Sequence, residues 1–109
     1  MPKLGIPSSY MQMKQSHPAL MKAYEEFGNA CAGAGPLDPK CVALVKLAIS
    51  LATNQEGAAH SHARKALEAG CTSDQLFHVA HLLAPTTGFP SMMRARGWVQ
   101  DVVAAAKPQ

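Results

Sequence analysis

Aromatic side chains are few in this chain: one tryptophan, two tyrosines and three phenylalanines make up 6% of 109 residues. A core built from it must be filled mainly by aliphatic side chains and alanines, which lets helix backbones approach closely. Nowhere do about 18 apolar residues run together, so no membrane-spanning helix is expected. Basic residues are scattered, and a formal net charge of +3 without a lysine- or arginine-rich face lacks the electrostatic footprint of a nucleic-acid binder. The three cysteines, Cys31, Cys41 and Cys71, form no CxxC pair and leave an odd count. With no signal peptide recognisable, a reducing cytoplasm is the expected compartment. Internal repeats and low-complexity tracts are also missing.

What is present is helical. The length suits one domain over residues 1–109, with loose ends at 1–15 and 105–109. A chain this small buries limited surface alone, so association with its own copies is expected. Ser8 to Gln15 has apolar weight but no clear period. Ser16-His17-Pro18 offers a cap and a proline acceptable in a first helical turn. Beyond it Leu20, Met21, Tyr24, Phe27 and Cys31 recur at spacings of three and four, an amphipathic helix that ends in the Gly33–Pro36 stretch. Asp38-Pro39 opens a third helix, apolar nearly all round its axis from Cys41 to Ala52 and therefore expected to be buried on most sides.

The stretch that follows, Asn54 to Gly70, reads as one helix, with Asn54 as its cap and Gly70 ending it in a left-handed turn. Helical spacing puts Ala58, Ala59, His62, Ala66 and Ala69 on one face and Glu56, His60, Arg64 and Glu68 on the opposite, polar one. Because residues i and i+2 differ by about 200° around a helix, His60 and His62 point apart and cannot share one metal ion. The pattern turns His62 inward and His60 outward. Thr72 and Gln75 then form a capping box for a helix that Pro85 closes. Its Asp74, His78 and His81 fall on one polar stripe. A last helix after Pro90 carries Met92, Ala95, Trp98, Val99, Val102 and Ala106 as its apolar face. The fold class expected is all-α.

In this order the elements resemble the carboxymuconolactone decarboxylase family, which includes the alkylhydroperoxidase D group. The resemblance spans about residues 37–103 and rests on Leu44-Val45-Lys46-Leu47-Ala48-Ile49-Ser50, the run His62-Ala63-Arg64-Lys65-Ala66-Leu67-Glu68-Ala69-Gly70, the Thr72–Leu83 helix and the Gly88-Phe89-Pro90 turn. It implies an alkylhydroperoxidase D-like domain of five to six helices that assembles as a homotrimer or homohexamer, with pockets near subunit contacts. Redox members carry two cysteines seven and four residues before the motif histidine, and a glutamate just before the Leu-Val/Ile pair. This chain has Gln55, Ala58 and Ala43 there, so the dithiol relay, which needs thiolate, disulfide partner and proton carriers, is not expected.

The decarboxylase branch does not depend on those cysteines. The function expected is a cofactor-free lyase or isomerase acting on a small lactone or keto acid, with His62 as acid/base because imidazole titrates near neutrality. Glu56 and His60 are further catalytic candidates. His81, Arg94 and Arg96 are candidates for substrate binding, since guanidinium geometry suits a carboxylate. The alternative is a non-catalytic member that binds a small molecule or serves as a scaffold. His78 and His81 lie at i and i+3 and, with His62 or Glu56, are the histidine pair to consider for a metal; with no HxxxH or HExxH spacing, no metal and no cofactor is expected.

Overall fold

A computed structural model describes residues 6–106. Among these the chain is all-α, with helical segments α1 Ser8–Ser16, α2 Pro18–Ala32, α3 Pro39–Ala52, α4 Glu56–Glu68, α5 Ser73–His81, the single turn α6 Ala84–Thr87, and α7 Phe89–Ala106. The described backbone divides into two compact units, one of residues 6–38 and one of residues 39–106. Of the two segments expected to be loose, residues 1–5 and 107–109 lie outside the described residues. Inside them, residues 8–15 are helical and α7 continues through Ala106.

The smaller unit is a helix pair. Tyr10 donates to Glu25 Oε2 at 2.8 Å, and Lys14 Nζ lies 3.5 Å from the same oxygen. Pro18 occupies the first turn of α2, as its fixed φ allows. Ser16 does not cap that helix. Its hydroxyl donates to the Gln12 carbonyl within α1, and His17 takes the cap position without a side-chain bond. Of the apolar stripe on α2, Met21 is buried, while Leu20, Tyr24 and Phe27 are more than half exposed.

The larger unit holds the core. Leu47 and Leu51 of α3, Ala59, Ala63 and Ala66 of α4, Leu76 and Ala80 of α5, and Ala95, Val99, Val102 and Val103 of α7 are buried together. The alanines of α4 let α3 and α7 approach its backbone, the consequence of a sequence poor in aromatics. Against expectation, α3 is not buried on most sides: Val45 and Ile49 stand exposed. Leu44, Val45, Ala48 and Ala52 instead line an apolar cleft of about 360 Å³ with Val79, Leu82, Leu83 and Thr86. Ten of the twelve residues from Cys41 to Ala52 are apolar, which makes the helix hydrophobic all round, but a small chain has too few elements to cover every side of it.

Two helix ends follow one geometry. Asn54 has φ +59° and donates its backbone N–H to Leu51 O, while Gln55 N–H reaches back to Ser50 O at 3.0 Å. Gly70, at φ +99°, and Cys71 repeat this pair of bonds to Leu67 O and Ala66 O. Both are Schellman motifs closing the preceding helix. Asn54 thus ends α3 rather than capping α4, whose cap position is Gln55 with no side-chain bond. The link is so short that the one residue able to adopt a left-handed conformation is needed for the turn itself. The Thr72–Gln75 capping box forms in full. Pro85 does not close α5; that helix ends at His81 and Pro85 sits in the first turn of α6, where no N–H is required.

Candidate functional site

α4 organises the site, and its rotation decides which side chains meet. The face turned to the core is centred on Ala59, Ala63 and Ala66, each no more than 1% exposed. The expected face of Ala58, Ala59, His62, Ala66 and Ala69 is therefore displaced: Ala58 and His62 lie on its margin, and Ala69 is exposed. Leucines of α3 and valines of α7 compete for α4, and the alanine triplet at 59, 63 and 66 gives both the closest approach.

His62 sits on one margin, half-buried, with Lys46 of α3 and Lys65 one turn along α4 acting on it. Desolvation first, then the two ammonium groups, hold its imidazole below the ordinary value of 6.5. Near neutral pH it is an uncharged ring with one nitrogen lone pair and one N–H, able to accept a proton or pass one on.

His60 lies on the other margin and is not directed to solvent as the pattern suggested. Its Nε2 lies 3.1 Å from Asp101 Oδ2 of α7, and its side chain retains only 12% exposure. Glu56, one turn earlier, brings a carboxylate so that ligand atoms of Glu56, His60 and Asp101 all lie within 4.8 Å of one another. The helix line 56, 60, 64, 68, expected to face away from the core, in fact runs beside α7. Arg64 lines a cavity of about 230 Å³ with Leu67, Glu68, Val102, Ala105 and Ala106. Its Nη1 is buried without a hydrogen-bond partner among the described residues.

The remaining candidates separate. Arg94 donates to Asn54 Oδ1 at 2.8 Å, bracing the α3–α4 turn from α7. Arg96 donates to His81 Nε2, and its guanidinium stands 5.2 Å from the Phe77 ring centroid. Glu56 and His60 therefore meet, His81 and Arg96 meet, and His62 stands apart from both pairs beside Lys46 and Lys65. Asp101, Arg64 and Lys46 had not been singled out from the sequence.

Comparison with known proteins adds to this geometry. The sequence profile described as "Carboxymuconolactone decarboxylase family" matches residues 18–101. The chain belongs to this family. Its structure is similar to the crystal structure of apo-lpg0406, a carboxymuconolactone decarboxylase family protein from Legionella pneumophila, with a TM-score of 0.78 and 21% identity. The match covers 92% of this chain and 89% of the other, and at that identity it establishes the fold. No curated protein matches the chain.

Gln55 and Ala58, where the resemblance places the cysteines of redox members, are the exposed cap residue of α4 and a residue of its first turn. Of the cysteines this chain does have, Cys31 and Cys41 are exposed and Cys71 is buried. Cys71 lies at the end of α4 with Sγ 3.9 Å from the Lys40 carbonyl. No helix among the described residues is long and apolar enough to cross a membrane.

Proposed function

We propose that this family member is a cofactor-free lyase or isomerase for a small organic acid, a lactone or keto acid, with His62 as the proton carrier. The observation behind this reading is the placement of His62 at the margin of the core beside two lysines. Loss of CO₂ from such an acid needs an oriented carboxylate, an electron sink at the neighbouring carbonyl, and a group that delivers a proton to the resulting carbanion; an isomerisation needs the same proton moved between carbons. Lys46, partly withdrawn from solvent, is suited to hold the substrate anion, because an ammonium in a lowered dielectric attracts a carboxylate more strongly than one in water. Lys65 adds to the field from the exposed side. A neutral His62 can then take a proton from one substrate atom and return it to another.

The positive surroundings that lower the affinity of His62 for its proton are the same charges that recruit an anion. When the acid binds, its negative charge offsets the lysines and raises the basicity of the ring at the moment a proton must move. Replacing His62 with alanine should lower kcat by about a hundredfold or more while leaving the assembly intact. An unchanged rate would remove His62 from the mechanism. The assembly itself is proposed to be a homotrimer or homohexamer that covers the exposed apolar side chains of α2 and α3.

A further inference from the structure

The group formed by Glu56, His60 and Asp101 has no part in the chemistry assigned to His62. We propose that it is a binding site for one divalent first-row transition cation, held by two carboxylates and one imidazole from α4 and α7. Glu56 and His60 are four residues apart, so one helical turn directs both side chains to the same point. Asp101 reaches that point from the neighbouring helix, with Oδ2 3.1 Å from His60 Nε2.

The spacing fits an ion. Bonds of about 2.0–2.2 Å from a metal to nitrogen and oxygen place neighbouring ligand atoms ~3 Å apart and opposed ones ~4.3 Å apart. A pair of ligand atoms at the 4.8 Å outer limit of the group would close by about half an ångström to stand opposed on an ion and by up to ~2 Å to stand as neighbours. Glu56, exposed and with three side-chain torsions, can supply that closure. His60 is fixed by its surroundings, at 12% exposure, whereas Asp101 is half exposed, so the site is walled on one side and open to water on the other. Three protein ligands leave at least one coordination position for water or an anion.

Charge supplies a separate argument. Glu56 and Asp101 approach each other across an imidazole, and among the described residues no lysine or arginine is ion-paired with either carboxylate. Arg94, two turns before Asp101, is turned to Asn54, and Arg64, one turn after His60, has a buried nitrogen without a hydrogen-bond partner among the described residues. The nearby cations thus leave the two negative charges to be balanced by whatever sits between them. One N and two O donors suit cobalt, zinc, manganese or iron(II) better than soft metals that prefer thiolate.

Co²⁺ is the probe that reads both occupancy and ligand type. Untagged, metal-free protein should bind one Co²⁺ per chain by calorimetry and show weak visible ligand-field bands without thiolate charge-transfer absorption. Glu56→Gln and Asp101→Asn should each weaken binding by about tenfold or more, the loss expected even when a merely outer partner of a ligand is removed. Glu68→Gln, one cavity away on the same helix line, should bind as the wild type does. Lack of Co²⁺ binding at millimolar metal, binding that carries thiolate absorption and disappears in the Cys31→Ser/Cys41→Ser variant, or binding indifferent to both carboxylate variants would each overturn the proposal. None of these outcomes bears on His62, whose role is read from turnover.

Discussion

His62 and His60 are two residues apart on one helix, yet they occupy different chemical settings. The ring of His62 is partly desolvated and flanked by Lys46 and Lys65; the ring of His60 is joined to the carboxylate of Asp101. The first setting has a consequence for stability. A histidine held below its ordinary value binds protons less readily folded than unfolded, so nothing is lost while both states are neutral. As pH falls through about 6.5, the unfolded chain gains a proton that the folded one resists, and stability declines until the folded value is passed. His62→Gln removes this contribution. Denaturant titrations from pH 8 to about pH 5 should therefore show the wild type losing stability relative to His62→Gln below about pH 6.5. Parallel curves over that range would show that the ring is not so placed. That His62 lies in a run resembling a family motif could be read from the sequence. That Lys46 is its neighbour could not, since the contact joins two helices and depends on their relative rotation.

At the scale of elements, α4 is defined by small side chains. Ala59, Ala63 and Ala66 are buried in one cluster with side chains of α3 and α7, and substituting a larger residue there must push one of those helices away. Ala63→Leu should cost about 1–3 kcal/mol, as overpacking of well-filled cores does, measurable by urea denaturation. A cost within a few tenths of a kcal/mol would mean that the seam is loosely packed. Helix existence followed from spacing and from end signals with a local mechanism, such as the Thr72–Gln75 box. Rotation about the helix axis did not. Ala58, Ala59, Ala63, Ala66 and Ala69 are chemically alike, so the pattern could not say which would face the core, and an error of one position moved His60 from the solvent to the side of Asp101. Asn54 failed for a related reason: asparagine serves both helix starts and left-handed turns, and only the length of the link decides between them.

At the scale of the molecule, several large apolar side chains stand exposed on α2 and α3. Tyr24, Phe27 and Leu20 on α2, and Val45 and Ile49 on α3, are each 45–69% exposed. Patches of that kind on a small chain are usually interfaces. Light scattering should give a mass three or six times that of the 11.5 kDa chain. A monomer at micromolar concentration would contradict the proposed assembly. Family membership was legible from the His62–Gly70 run because short-range sequence carries it. The identity of the acid was not, because it depends on a surface shaped by several helices and, in the proposed assembly, by a second copy.

The central claim is that an organic acid binds at Lys46 and His62. The most direct test is thermal unfolding of the assembled protein with and without a panel of lactone and keto acids. An acid present at about 100 times its Kd stabilises the folded state by roughly 2.7 kcal/mol, a shift of about ten degrees or more in a domain of this size. Such a shift is expected for at least one acid, lost in Lys46→Met and reduced in His62→Ala. A shift of equal size in all three proteins, or none for any acid in the panel, would contradict the claim.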